Sequence, residues 1–332
     1  MVRSESEDGV LYGNREWISE YGPVKPSSAR AAQKLMEEGF VNPVTIEGGC
    51  MPRKKSVTLW KDRLMRGKIM DDITISRAIT ETFIKDFIDS MEVEVAIAGA
   101  GPSGMTAAYY LAREGIKTAV FERSLRPGGG MPGGGMMFNR IVVQDDGKNI
   151  LDEFGIRSSE YARGCFTADS LETVATICSR AIQAGAKIFN LISVEDVLIK
   201  EDESITGLVL NWSAVQMANL HVDPLAVKAG VVIDATGHSS EICRIVTRKI
   251  GPGLNTASGE VIGEKPMLAE AGEKDLINNT RQVYPGLLVT GMAANAVYGS
   301  PRMGAVFGGM LLSGKKAAEL AQQIIREPLN KW

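Results

Sequence analysis

Histidine and cysteine, the side chains most often used to hold transition metals, are scarce here: two histidines and four cysteines in 332 residues. Cys50, Cys165, Cys178 and Cys243 are scattered, with no CxxC pair. That argues against a disulfide frame or a zinc site and reads as reduced thiols in a cytoplasmic protein. No apolar run approaches a bilayer span, so no membrane segment is expected. The first residues, MVRSESEDGV, are acidic and lack the apolar centre of a signal peptide. The net charge of -3 is too small to point to nucleic acid or an acidic membrane surface. What remains is ordinary globular composition, 44% hydrophobic, enough to bury one large or two modest cores.

Glycine is what the chain has in quantity, and it is unevenly spent. Residues 1–69 mix Gly, Pro and Ser with charges and offer one short helical pattern near 31–38. They predict a flexible N-terminal extension with no core of its own. Residues 70–332 read as a single domain. It opens on DDITISRAITETFIKDFIDSM, where Ile75, Ile79, Phe83 and Phe87 recur every four residues and predict an amphipathic helix. VEVAIAGAG follows as a buried strand, SGMTAAYYLAREG as a helix and KTAVFER as a second strand. Strand, glycine turn, helix and strand make a βαβ unit with a parallel sheet. Further on, a helix is expected near 170–184, and KEDES separates two strands of a hairpin or meander.

Gly99, Gly101 and Gly104 form GxGxxG between that strand and that helix. The first glycine permits a tight turn, the second a close approach to pyrophosphate, and the third close packing of helix on strand. The helix N-terminus then presents free N–H groups to phosphates. Glu122 ends the second strand, where a carboxylate accepts from ribose hydroxyls and repels a 2′-phosphate. RPGGGMPGGGMM comes next and reads as a loop that covers the nucleotide, with a plain linker as the alternative. VVIDATGH and YPGLLVTGMAANA resemble the second and third signatures of the glutathione-reductase type of two-dinucleotide fold. The expected class is therefore α/β, a Rossmann-type two-dinucleotide-binding fold with an additional β layer. Flavoproteins of that type carry an Asp after the glycine of the third signature. Here Met292 follows Gly291, and a thioether is a weak acceptor. This weighs against the alternative of an FAD-dependent oxidoreductase.

Several longer strings carry a more specific resemblance. ITISRAITETF, FERSLRPGGGMPGGGMMFNRIVV, NWSAV, DATGH and AVYGSPRMGAVFGGMLLSGKKAAEL are similar to thiamine thiazole synthases, from about residue 71 to the C-terminus. The resemblance implies an enzyme that consumes NAD as a substrate, releases nicotinamide and joins ADP-ribose to glycine. Sulfur is then added with iron(II), Fe(2+), to give an ADP-thiazole carboxylate for thiamine biosynthesis. It implies adenosine-side contacts from Ser103, Glu122, Arg123 and Gly130, with Val194 beside the adenine. His221, Val222, Asp223 and Met292 would surround the rest of the dinucleotide, and Arg302 would hold the glycine carboxylate. Asp223 and His238 would be the iron ligands, Asp223 reaching a neighbouring subunit's metal in a homo-oligomer such as an octamer.

In the eukaryotic branch of that family a cysteine stands where this chain has His221, in NLHVDP, and gives up its own sulfur. Imidazole has none to give. The resemblance is therefore to the branch that takes sulfide from solution, with His221 as a proton shuttle or a group that orients sulfide. The other readings weighed are a non-catalytic nucleotide-binding regulator and a ribose bisphosphate isomerase. The first would have no use for Asp223, His238 and Arg302. The second would need another phosphate site.

Overall fold

The computed structural model describes residues 71–326 and, before them, the backbone of two short strands, β1 (Val44–Ile46) and β2 (Gly49–Met51), which pair antiparallel. The helix expected near 31–38 and the flexible extension lie outside the described residues. The chain divides into two units, residues 1–80 and 81–332. The division falls inside the first long helix, α1 (Asp72–Asp89). In the second unit α1 contributes an aromatic pair. Phe83 and Phe87 stack at 6.1 Å between centroids, and Phe189 meets them edge-on at 5.9 and 5.2 Å. Only Phe87 of the expected stripe is buried, while Ile84 and Ile88 stay exposed.

The βαβ unit is present as read: β3 (Glu92–Ala98), α2 (Pro102–Arg113) and β4 (Thr118–Glu122), with the two strands parallel. Along β3, Val95 and Ile97 belong to one core and Ala96 and Ala98 to the other. A parallel strand covered on both faces needs such a continuous apolar run.

Ten further elements run as far as the central strand beside β3. They are β5 (Arg140–Val143), α3 (Asp145–Phe154), β6 (Ser158–Ala162), β7 (Cys165–Asp169), α4 (Ser170–Gln183), β8 (Lys187–Asn190), β9 (Ile192–Ile199), β10 (Ile205–Trp212), α5 (Ser213–Met217) and β11 (Leu225–Asp234). Then come α6 (Glu241–Lys249), α7 (Ala269–Asn279), β12 (Arg281–Tyr284), β13 (Leu287–Val289), α8 (Met292–Tyr298) and α9 (Gly308–Arg326). The main sheet runs β12-β13-β11-β3-β4-β8. β13, β11, β3, β4 and β8 are parallel, and β12 closes one edge antiparallel. The KEDES turn does make a hairpin: β9 pairs with β10, and β10 with the first half of β11, all antiparallel.

The additional β layer is a separate antiparallel sheet, β5-β7-β6. It is tied to the rest through β5. Val142 donates its N–H to the Ala305 carbonyl at 3.2 Å and accepts that of Phe307 at 2.9 Å. Chain order runs from β3 to β4 on one side and places β11 on the other side. The crevice above the β3–β11 junction is therefore a topological switch point, where open α/β sheets bind ligands.

Candidate active site

At that junction Ala235 N–H donates to the Ala98 carbonyl at 2.9 Å, drawing two strand ends together. A side chain at Gly99, which has φ +100°, would place its Cβ 2.5 Å from the Ala235 carbonyl oxygen. One at Gly104 would come within 2.1 Å of the Gly99 oxygen. Both positions therefore admit only glycine, and α2 starts directly above the turn. Gly101, Pro102 and Ser103 at its N-terminal end line the crevice, the place a phosphate site at a helix N-terminus would take. The turn is fastened to β4 by Glu122, which is buried. Its Oε2 accepts the Ala100 N–H at 2.8 Å and its Oε1 the Ser124 N–H at 2.7 Å. Each oxygen keeps a second lone pair for a ligand hydroxyl.

A cavity of about 1470 Å³ extends from here over the ends of the strands. That exceeds the roughly 300–1,000 Å³ usual for a drug-sized ligand, so the space suits a dinucleotide-sized molecule. The glycine-rich segment closes one side: Gly128 N–H donates to the Ala100 carbonyl at 2.7 Å, and Gly129, Gly130, Gly134 and Gly135 line the wall. The segment thus covers the nucleotide turn and is not a free linker.

Of the residues expected from the sequence, Gly99, Gly101, Ser103, Glu122, Arg123, Gly130, Val194, His238, Met292 and Arg302 all line this one cavity. Gly104 lies just behind it, in the helix–turn packing. Arg123 is paired with Glu241 on α6. At the far end Arg302 and Lys265 have no ion-pair partner among the described residues, leaving two cations for acidic groups of a ligand.

His221, Val222 and Asp223 do not join them. They sit on an exposed loop, residues 218–224, that this chain keeps outside its own cavity. The bonds that order the loop include Leu220 N–H to the Val215 carbonyl at 3.0 Å and Asn211 Nδ2 to the Val222 carbonyl at 3.0 Å. No group of three or more His, Cys, Asp and Glu side chains suited to a metal occurs among the described residues.

His238 rides on a short 3-10 turn, Gly237–Ser239, at the end of β11. Asp234, fully buried, anchors this turn. Its Oδ1 accepts from Thr236 N (3.0 Å) and Thr236 Oγ1 (2.6 Å), and its Oδ2 accepts from Cys243 N (3.0 Å). Cys243 is packed behind, and burial foremost, with Asp234 beside it, pushes its thiol well up. The other face of the turn carries an unforeseen contact: His238 Nδ1 lies 2.7 Å from Glu264 Oε1. Asp234 could have been suspected from DATGH, whereas nothing local marks Glu264.

The segment with Glu264 and the segment with Arg302 are laced together. Ile262 N–H bonds the Val297 carbonyl (3.1 Å) and Gly263 N–H the Ala296 carbonyl (2.8 Å). Lys265 N–H bonds the Ser300 carbonyl (3.1 Å), and Arg302 N–H returns to the Lys265 carbonyl (3.1 Å). Below them, buried Asn279 donates to Asn295 Oδ1 (3.0 Å) and Ser300 Oγ (2.9 Å), and Ser300 Oγ donates to Asp275 (2.9 Å).

The described helices include none long and apolar enough to cross a membrane. The Thi4 family model matches residues 76–307. The thiamine thiazole synthase of Methanothermobacter thermautotrophicus is 65% identical over 251 residues, 76% of this chain and 97% of that protein. That of Pyrococcus horikoshii is 53% identical over the same shares. Among solved structures, Thermovibrio ammonificans THI4 matches with a TM-score of 0.75 at 46% identity, covering 78% of this chain and all of that one.

Proposed function

Because the chain belongs to the Thi4 family, whose relatives above are thiamine thiazole synthases, we propose that it makes the thiazole of thiamine from NAD, glycine and sulfide. The observation that carries this reading is the single cavity that joins Gly99, Gly101 and Glu122 at one end to His238 and Arg302 at the other. A nucleotide turn alone would serve any of many reactions. A nucleotide turn that shares its space with an imidazole and an unpaired guanidinium suits one that rebuilds the far half of the dinucleotide.

The α2 N-terminus holds the pyrophosphate and Glu122 the adenosine ribose. NAD is consumed here, not used as a hydride carrier. Arg302 holds the glycine carboxylate with its planar fork and so sets the direction of the amine. Met292, buried in the wall, excludes water beside the reacting end.

For iron(II), one chain fits half a site. His238 has one nitrogen engaged by Glu264 and the other without a partner among the described residues, which is how metal-binding histidines are usually held. Asp223 is exposed and lies outside its own chain's cavity, so it would complete the set in a second copy, with His221 beside it. When bound, iron(II) supplies open positions that accept sulfide. A homo-oligomer follows from this arrangement.

The direct test is mass spectrometry of small molecules after anaerobic incubation with NAD, glycine, sulfide and iron(II). ADP-thiazole carboxylate and free nicotinamide are expected. A yellow protein that releases FAD and forms no thiazole would replace this reading with the flavin one.

A further inference from the structure

We infer that Glu264 is the positioning residue of His238: its carboxylate accepts the Nδ1 proton and so fixes which imidazole nitrogen is left for a ligand. The inference rests on the reading of His238 as a metal-binding residue.

The geometry is simple. Glu264 Oε1 and His238 Nδ1 stand 2.7 Å apart, a hydrogen-bond distance. An ionised carboxylate only accepts, so Nδ1 must carry the proton. In a neutral ring that leaves the lone pair on Nε2. His238 lines the cavity, and Nε2 has no other partner among the described residues.

An isolated surface pair of this kind would mean little. Two features distinguish this one. The Glu264 side chain is only 18% exposed, although that of His238 is 50% exposed. In addition, the Glu264 backbone is not free to drift. Gly263 and Lys265 on either side are bonded to Ala296 and Ser300, and the Lys265 carbonyl accepts the Arg302 N–H. The same ladder therefore sets the imidazole at one point of the cavity and the guanidinium at another. The turn that carries His238 is held from below by Asp234, and its ring is met from the side by Glu264, so one hydrogen bond favours one ring orientation. Carboxylates in this position raise ligand basicity and orient the ring in metal sites generally.

The scarcity of histidine makes the test clean. Imidazole ¹⁵N–¹H correlation spectra of the metal-free protein at about pH 8, where imidazole in general is neutral, contain two rings. His221→Asn leaves one and assigns it. His238 is expected as the Nδ1–H tautomer in the wild-type chain and in Glu264→Gln, whose amide oxygen still accepts. In Glu264→Ala it should move to the Nε2–H form or to a mixture.

Anaerobic titration with iron(II) alone should then show affinity weakened about 10–100-fold in Glu264→Ala and much less in Glu264→Gln. An Nε2–H ring in the wild-type chain, or a tautomer that ignores Glu264→Ala, would overturn the inference. So would Glu264→Gln binding iron(II) as poorly as Glu264→Ala, because Glu264 would then be a ligand itself. The tautomer needs neither iron nor turnover. A wild-type protein with the expected spectrum but no thiazole would defeat the functional reading and leave this inference standing.

Discussion

The carboxylate of Glu122 and the backbone of Ala100, 22 residues apart in sequence, are joined by a 2.8 Å hydrogen bond inside the protein. Glu122 is therefore a buckle on the glycine turn as well as the proposed ribose acceptor, and the two roles separate on mutation. Glu122→Ala removes acceptors from the ligand and from two backbone donors. NAD affinity should fall by about 1.5–3 kcal/mol for the lost charged hydrogen bonds. Stability should fall by about 1–3 kcal/mol for the Ala100 N–H, which is left buried and unsatisfied. Glu122→Gln keeps one acceptor oxygen and should lose less of both. Calorimetry with NAD and thermal unfolding measure the two effects, and unchanged NAD affinity in Glu122→Ala would remove Glu122 from the site.

Arg302 and Asn279 should act on the same substrate from different distances. Arg302→Lys keeps the charge but loses the fork, so the KM for glycine should rise at least tenfold while that for NAD changes little. Asn279 does not line the cavity, yet it ties Asn295 to Ser300 under the turn that carries Arg302. Asn279→Ala should cost about 1–3 kcal/mol of stability. It should also raise the glycine KM several-fold, again with little effect on NAD. Equal changes in both KM values would mean general loosening and not positioning of Arg302.

Glu273 provides a pH-dependent test. One of its oxygens caps α9 by accepting the Gly309 N–H at 2.7 Å, and the other is buried without a partner among the described residues. Burial raises its pKa above the ordinary carboxylate value, only partly offset by the Gly309 bond. A raised folded-state pKa means that the folded protein holds the proton longer than the unfolded chain. The stabilisation is full below the unfolded value and is lost as pH rises through the folded one. Relative to Glu273→Gln, the wild-type chain should therefore lose melting temperature as pH climbs from the acidic range toward neutrality. Parallel curves for the two proteins would show that Glu273 is already ionised and solvated.

The parts of the site that could be read from sequence are those built from neighbours in the chain. Gly99, Gly101 and Gly104 announce a turn because each is needed within six residues, and Glu122 follows at the end of the next strand. β6 was illegible for the opposite reason. Of SSEYA only the first residue is even half-buried, so no alternation betrays a strand. Glu264 could not be found either, since its meaning comes from a ring 26 positions earlier. Asn279, Asn295 and Ser300 likewise look like ordinary polar residues until the fold buries them together. The loop that carries His221 and Asp223 was readable only through the resemblance. Its place outside the chain's own cavity is what the proposed shared site would require.

That loop carries the last prediction, repeated turnover with external sulfide. A sacrificial enzyme needs a thiol at the reaction centre, and the position at issue here is His221. No cysteine among the described residues lines the cavity. Cys243 is buried behind Asp234 with its thiol pushed well up, and Cys178, half-buried in α4, is raised by burial as well, so neither is a ready thiolate. On the proposed function, sulfur then arrives from solution. Product should exceed one equivalent per subunit when sulfide, NAD, glycine and iron(II) are supplied without oxygen, and the intact protein mass should stay constant throughout. Product that stops at one equivalent, with a mass loss of one hydrogen sulfide per chain, would show that a cysteine is consumed after all. Full activity without added sulfide would lead to the same conclusion. His221→Cys extends the test: some single-turnover product without sulfide is expected if the loop reaches a neighbour's cavity. The same variant should yield none at dilutions where ultracentrifugation shows monomers, because an isolated chain keeps residue 221 away from its own His238 and Arg302. Activity that survives dissociation would mean that the loop folds back onto its own cavity.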